Sequence, residues 1–350
     1  MISLILLIVI LGVLIFVHEA GHFITAKKCG AHVYEFSLGM GPKLFGWKRK
    51  GDPTDYSIRA FPIGGYCAIA GEVDEDDGYD KKLKKNQYMC NKTPLQRFII
   101  LVAGVTMNFL TGIILLFISA LIFGYTDPTP IVGQIEKGMP VSKTGIEVGD
   151  KLLAINGKKV DSWDMITLRL VQKNKRDYYT FKIKKTDGTI NTYRIYPKYE
   201  KSKNGESVPR FGFGQNTEKK HGFLGSIKYA FLKTKIILCS MVLIIGNLCT
   251  GSIPLNSLSG PVGVYQVVDN YKGNLELLLY LTAYLSLNLG FINLLPIPAV
   301  DGGRILFLII EVIRGKKLNP KIEGYVNLVG FALLMLLMFV ITVKDVLNLF

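Results

Sequence analysis

The segment His18-Glu19-Ala20-Gly21-His22 places two imidazoles and one carboxylate within five residues. On a helix, positions i and i+4 share a face, so both imidazoles can reach one zinc ion while the intervening Glu contacts its water. Zinc lowers the pKa of such a water from about 15.7 to about 7. Glu19 would accept the water's proton and pass it to a leaving amine. The chain has four histidines, and two of them stand in this motif. The motif also extends a run, Met1–Val17, that contains no Asp, Glu, Lys or Arg. An ionisable group in lipid costs about 2.5–3.5 kcal/mol on insertion scales and is usually retained for function. The competing reading is a helix end where the chain meets the headgroups.

A catalytic zinc keeps three protein ligands and one open position. His32 and His221 lie in a loop and a linker and are expected to be bystanders. The better third ligand is Asp301, in Asn293-Leu294-Leu295-Pro296-Ile297-Pro298-Ala299-Val300-Asp301-Gly302-Gly303-Arg304. Pro296 and Pro298 break the helix just ahead of that carboxylate, and irregular backbone at membrane depth is tolerated only inside protein or beside water. A helix cap followed by an ordinary turn is the alternative.

These residues must be positioned by elements that cross a bilayer. Phe98–Phe123, Leu277–Val300 and Tyr325–Val343 are, like the first run, free of Asp, Glu, Lys and Arg. A crossing takes about 20 such residues. With 49% hydrophobic residues and a mean hydropathy of +0.31, a soluble enzyme, a disordered chain and a secreted disulfide scaffold are excluded. The expected fold class is a polytopic α-helical membrane protein with four spans and an inserted β-rich domain. Three parts are expected: 1–124 with the first two spans, 125–222 outside the cell, and 223–350 with an amphipathic interfacial segment and the last two spans.

The net charge of +15 could indicate nucleic acid, but no nucleic-acid motif accompanies it. Basic residues that gather in cytoplasmic loops explain it. The five cysteines form no C-x-x-C pair, which argues against a thiolate metal site. Lys27 and Lys28 follow the first run, so the N-terminus is expected outside and residue 27 in the cytoplasm. The mixed-charge stretch from Glu72 to Lys85 then reads as a solvated cytoplasmic loop.

Topology tests the ligand set. If Ile236–Cys249 spanned, Asp301 would emerge at the face opposite His18. That run is short and followed by Gly251 and Pro254, so it is expected to be interfacial or re-entrant. Lys228, Lys233 and Lys235 beside it suit a surface helix. His18 and Asp301 then meet near the cytoplasmic face, where Arg304, Arg314, Lys316, Lys317 and Lys321 also fall.

In the external region Tyr179, Phe181 and Ile183 alternate, Asp187–Gly188 turns, and Tyr193 and Ile195 alternate again, a hairpin signature. Gly138-Met139-Pro140 and the block from Gly145 to Gly157 resemble the start of a bacterial PDZ domain, which binds extended peptide ends by strand addition. A small β spacer is the alternative.

Taken together, the chain resembles the site-2 proteases, in the regulator-of-sigma-E protease branch with one PDZ domain. The resemblance rests on H-E-x-x-H in the first span, Gly104 to Asn108 in the second, the PDZ-like block, Ser259-Gly260-Pro261-Val262-Gly263, and the block from Asn293 to Gly303. Val300 stands where that family usually has Leu. The resemblance implies Zn2+ held by His18, His22 and Asp301, with Glu19 as the base and Asn293 holding substrate. It also implies a membrane-associated β element over 56–70, where Gly64 and Gly65 would help an exposed strand edge to receive unwound substrate. The implied substrates are single-span membrane proteins, such as anti-sigma factors or remnant signal peptides, cut within lipid after an earlier external cleavage. Membrane lipid is the other implied partner, and nucleic acid is not one. A silent adaptor built around the PDZ domain would not need all four polar residues, and a transporter would carry inverted repeats, of which none is visible.

Overall fold

The computed structural model describes residues 2–72, 83–170, 176–201, 207–251 and 260–347. Most of the mixed-charge stretch expected as a loop, and Ser259 of the Ser259–Gly263 block, lie outside the described residues. The chain divides into two compact units, Met1–Leu115 with Leu258–Phe350, and Leu116–Ser257.

The first unit opens with α1 (Ile2–Lys28), which continues unbroken through the H-E-x-x-H motif. Next come two long bent strands, β1 (Val33–Lys48) and β2 (Asp55–Ile69). Positive φ at Gly39 and Gly41, +89° and +85°, lets β1 turn within its own length. Consequently Leu38 is opposite both Gly65 and Ile58, while Phe45 to Lys48 run along Ile58 to Asp55 on the far side. The element expected over 56–70 is therefore one strand of a pair, with β1 as its unexpected partner. Its inner residues Val33, Phe36, Cys67 and Ile69 pack with Ala26, Ile100, Leu101, Ile305 and Leu308.

α2 (Pro94–Phe123) runs antiparallel to α1, since His22 lies against Ile100 and His18 against Asn108. The second unit begins near its end. There β3 (Val132–Ile135), β4 (Lys151–Ile155), β5 (Lys158–Lys159), α3 (Trp163–Leu170), β6 (Tyr179–Lys184), β7 (Ile190–Ile195), β8 (Lys198–Lys201), β9 (Ser207–Arg210) and β10 (Phe213–Gln215) follow in order. They form a four-stranded sheet β5-β4-β6-β7 and the pairs β10-β3 and β8-β9. The expected hairpin is β6–β7, and its alternation is visible in burial: Tyr179, Phe181 and Ile183 are buried while Lys182 and Lys184 are exposed. Leu152, Ile155, Ile166 and Phe211 complete that core.

The second unit closes with α4 (Phe223–Cys249). This corrects the expectation of a short segment: the helix has 27 residues and is long and apolar enough to cross a membrane. No proline interrupts 223–249, so the lysine-bearing stretch and the charge-free stretch form one helix. Lys233 is neutralised by Asp164 of α3 at 2.8 Å.

Back in the first unit, α5 (Pro261–Tyr271), α6 (Leu275–Leu294), α7 (Asp301–Arg314) and α8 (Pro320–Leu347) complete the chain. With α4, the helices α1, α2, α6 and α8 make five among the described residues with the length and composition of a membrane span. α6 ends at Leu294, earlier than the apolar run, because Pro296 and Pro298 hold residues 295–300 out of helix. α6 is antiparallel to α2: Ser286 Oγ donates to the Asn108 carbonyl, and added Cβ atoms at Gly112 and Gly290 would touch Leu287 and Phe109. Leu7 of α1 shares a cluster with Leu281 of α6, and His18 lies against Asn293 further along both helices, so these two run the same way.

Candidate metal centre and active site

His18 and His22 project from one face of α1, only 6% and 8% exposed. Asp301 arrives from the start of α7. Its Oδ2 lies 3.0 Å from His18 Nε2 and 3.4 Å from His22 Nε2, and the two Nε2 atoms are 3.2 Å apart. Three ligands about 2.1 Å from a tetrahedral zinc would stand roughly 3.4 Å from one another. The observed triangle has that size. Among the described residues it is the one group of three or more His, Cys, Asp or Glu side chains close enough to share a metal ion. His32 and His221 are outside it.

The tautomers decide whether these atoms can bind a cation. His22 Nδ1 is 2.8 Å from the Ile100 carbonyl and must donate to it, which leaves Nε2 with its lone pair. His18 Nδ1 is 3.2 Å from Nδ2 of Asn108, a fully buried residue whose Oδ1 has no partner, so exchanging the two amide atoms lets Oδ1 accept from Nδ1–H. With the amide oxygen turned toward Nδ1, His18 also presents a lone pair at Nε2. Two imidazole lone pairs and a carboxylate then face each other across about 3 Å. A cation between them turns this repulsion into binding, so the residues fit a zinc ion.

Backbone choices hold the triangle open. A Cβ at Gly104 of α2 would stand 2.4 Å from His22 Nε2 and 2.8 Å from His18 Nε2, so a side chain there would occupy the metal position. A Cβ at Gly302 would meet the Leu295 carbonyl oxygen at 2.0 Å, and one at Gly303 the Ile297 oxygen at 2.4 Å. The paired glycines after Asp301 thus let α7 start tight against the proline-broken segment. Ala299, two residues before the carboxylate, has φ +75°. Its N–H donates to Asn327 Oδ1 at 3.1 Å, which helps hold that strained turn.

Glu19 faces a cavity of about 380 Å³ shared with His22, Asp301, Val300, Arg304 and residues 66–69 of β2. It is not part of the His18–His22–Asp301 triangle, which leaves its carboxylate available for a proton. A Cβ at Gly65 would touch Glu19 Cγ at 3.1 Å, so β2 passes directly alongside this side chain. Gly64 sits beside it with φ +102°. Cys67 lines the same cavity but is not among the side chains that converge closely enough to share an ion. Asn293, near the end of α6, puts its amide nitrogen 3.5 Å from His18 Nε2. The structure thus brings together His18, Glu19, His22, Asn293 and Asp301 with Gly65 beside Glu19, while Gly64 faces Met40 and Ile15 and neither glycine is among the residues that line the cavity. Sequence reasoning places Gly104 and Asn108 in one block of the second span without a role for either. Their signal is a polar residue and a glycine four apart in the charge-free run Phe98–Phe123.

The family model described as "Peptidase family M50" matches residues 6–337. The chain is 31% identical to the "Regulator of sigma-W protease RasP" of Bacillus subtilis, covering 98% of each protein. It is 32% identical to the "Zinc metalloprotease RasP" of Bacillus licheniformis, with the same coverage. With the protein of that name from Shouchella clausii it shares 33%, covering 99% of each. The match spans both the helix that carries His18 and His22 and the turn that carries Asp301, and the chain belongs to peptidase family M50, as a multi-pass membrane zinc metalloprotease.

Proposed function

We propose that the protein is an intramembrane endopeptidase that hydrolyses a peptide bond within or near the transmembrane helix of single-span substrates. The convergence of His18, His22 and Asp301 within 3.4 Å, beside Glu19 and next to a strand, carries this reading. In it His18, His22 and Asp301 hold zinc, which when bound acts as a Lewis acid and lowers the pKa of water. Glu19 accepts the proton of the attacking water and returns it to the departing amine. Asn108 and Ile100 fix the two imidazoles. Asn293, at the edge of the triangle, holds the carbonyl of the bond being cut.

A substrate helix shields its peptide bonds by its own hydrogen bonds and must first unwind. Residues 65–69 of β2 pair with Val33–Leu38 along one edge, and Tyr66 to Ile69 line the Glu19 cavity. An unwound segment added to the other edge would lie across Glu19. Close backbone passage at Gly64 and Gly65 favours this.

We also read four crossings. α2 and α6 are antiparallel neighbours, so the end of one and the start of the other share a side. An even number of crossings must then separate them, and α4 lies on the membrane or is undone by the return to α5. His18 and Asp301 are then near the cytoplasmic face, and 125–222 is an external PDZ domain. The PDZ reading is supported by a cavity of about 450 Å³ between α3 (Trp163, Ile166, Leu170) and residues 209–214, a place for a peptide end. Such a domain would admit substrates shortened by an earlier external cut. Anti-sigma factors, suggested by the name of the Bacillus subtilis relative, and remnant signal peptides are the candidate substrates.

The reading is tested by reconstituting the Glu19→Gln protein with a single-span substrate. It should retain zinc and lose cleavage; undiminished cleavage would refute the assigned base.

A further inference from the structure

We propose that the β1–β2 sheet carries a binding site for anionic phospholipid headgroups, formed by Lys48, Arg49 and Lys50 with Trp47 beneath them at the membrane interface.

Two contacts with α1 fix how the sheet is placed in depth. At one end, a Cβ at Gly12 would meet the Pro62 carbonyl oxygen at 2.6 Å, so the sheet reaches the middle of a spanning helix. At the other end, Lys27, near the close of that helix, pairs with Asp52 in the turn between the strands. Fifteen residues of helix separate the two levels, roughly 22 Å along the axis. The sheet thus extends from mid-membrane to the headgroups.

The outer row of β1 runs along this gradient. Met40 is opposite Phe61 at the deep end, Phe45 opposite Ile58, Trp47 opposite Tyr56, and Lys48 opposite Asp55 at the shallow end. Leu44, Phe45 and Trp47 are 59%, 69% and 53% exposed. Trp47 stacks one face on Tyr56, and all three side chains leave more than half of their surface uncovered, as expected of a surface that lipid covers.

Charges sort by depth in the same way. Arg59, deep in the sheet, is neutralised by Glu35 at 2.7 Å. The neighbouring Lys43 extends its ammonium up to Asp55, toward the shallow end. Lys48, Arg49 and Lys50, with Lys28 at the end of α1, are exposed and form no ion pair among the described residues. Three unpaired cations above an aromatic residue at the interface complement an anionic leaflet.

The test uses the full-length protein in vesicles of phosphatidylcholine and phosphatidylglycerol, with bromine on the acyl chains of one lipid or the other. The chain has two tryptophans, and subtracting the signal of Trp47→Phe isolates Trp47. At equal mole fraction, brominated phosphatidylglycerol should quench Trp47 about twofold or more beyond brominated phosphatidylcholine, and Lys48→Gln/Arg49→Gln/Lys50→Gln should equalise them while quenching persists. Two results would overturn the proposal. One is equal quenching in the unmodified protein, as expected if the acidic stretch Asp74–Asp77 of the same chain neutralised the cluster. The other is a Trp47 that neither lipid quenches.

Discussion

Asn108 on α2 lies 3.2 Å from His18 Nδ1, with the metal-facing Nε2 on the other side of the ring. With its unpartnered Oδ1 turned to that ring, Asn108 would set which nitrogen of His18 carries the proton without itself reaching the triangle. Its own backbone is anchored too, since its carbonyl accepts from Ser286 Oγ at 2.8 Å. The second and third long helices of the first unit are tied together at the point where one of them orients the ligand.

Removing that orientation should weaken the metal without removing a ligand. Asn108→Ala is expected to lower zinc affinity by about 10–100-fold, read by competition with a chromophoric chelator. Asn108→Asp, which still accepts from Nδ1–H, should retain most of the affinity. An unchanged affinity in Asn108→Ala would show that His18 needs no partner.

Gly104 gives a prediction in which stability and activity part company. Alanine in a helix interior normally stabilises by about 0.5–1 kcal/mol relative to glycine. Here its Cβ would stand 2.4 Å from His22 Nε2. Gly104→Ala should therefore remain folded, by circular dichroism and thermal unfolding in detergent, while zinc content and cleavage fall by roughly 100-fold or more.

The residues that converge on the candidate site are legible because their environment makes them conspicuous. His18 and Glu19 extend a charge-free helix, and Asp301 follows two prolines, so polarity in an apolar setting pointed to them. The β6–β7 hairpin was legible from strict alternation around Asp187–Gly188. Two features were not. β1 alternates poorly because both faces of its outer row are exposed, Leu44 and Phe45 alike, so the period-two signal is lost where neither face packs on a core. The length of α4 was missed because Lys228, Lys233 and Lys235 dilute the apolar pattern, although one of them is neutralised by Asp164.

The antiparallel pairing of α2 and α6 leads to a topological prediction. Reporter enzymes fused after residue 222 and after residue 270 should report the same side of the membrane. Opposite sides would require an odd number of crossings between them and would conflict with the pairing.

The central claim is that α1 and the first turn of α7 together bind one zinc ion. Zinc K-edge X-ray absorption on purified Glu19→Gln protein should show two imidazole nitrogens and one carboxylate oxygen at about 2.0–2.2 Å, and Asp301→Ala should lose the metal. Sulfur in the coordination shell, or full zinc occupancy and affinity in Asp301→Ala, would contradict it.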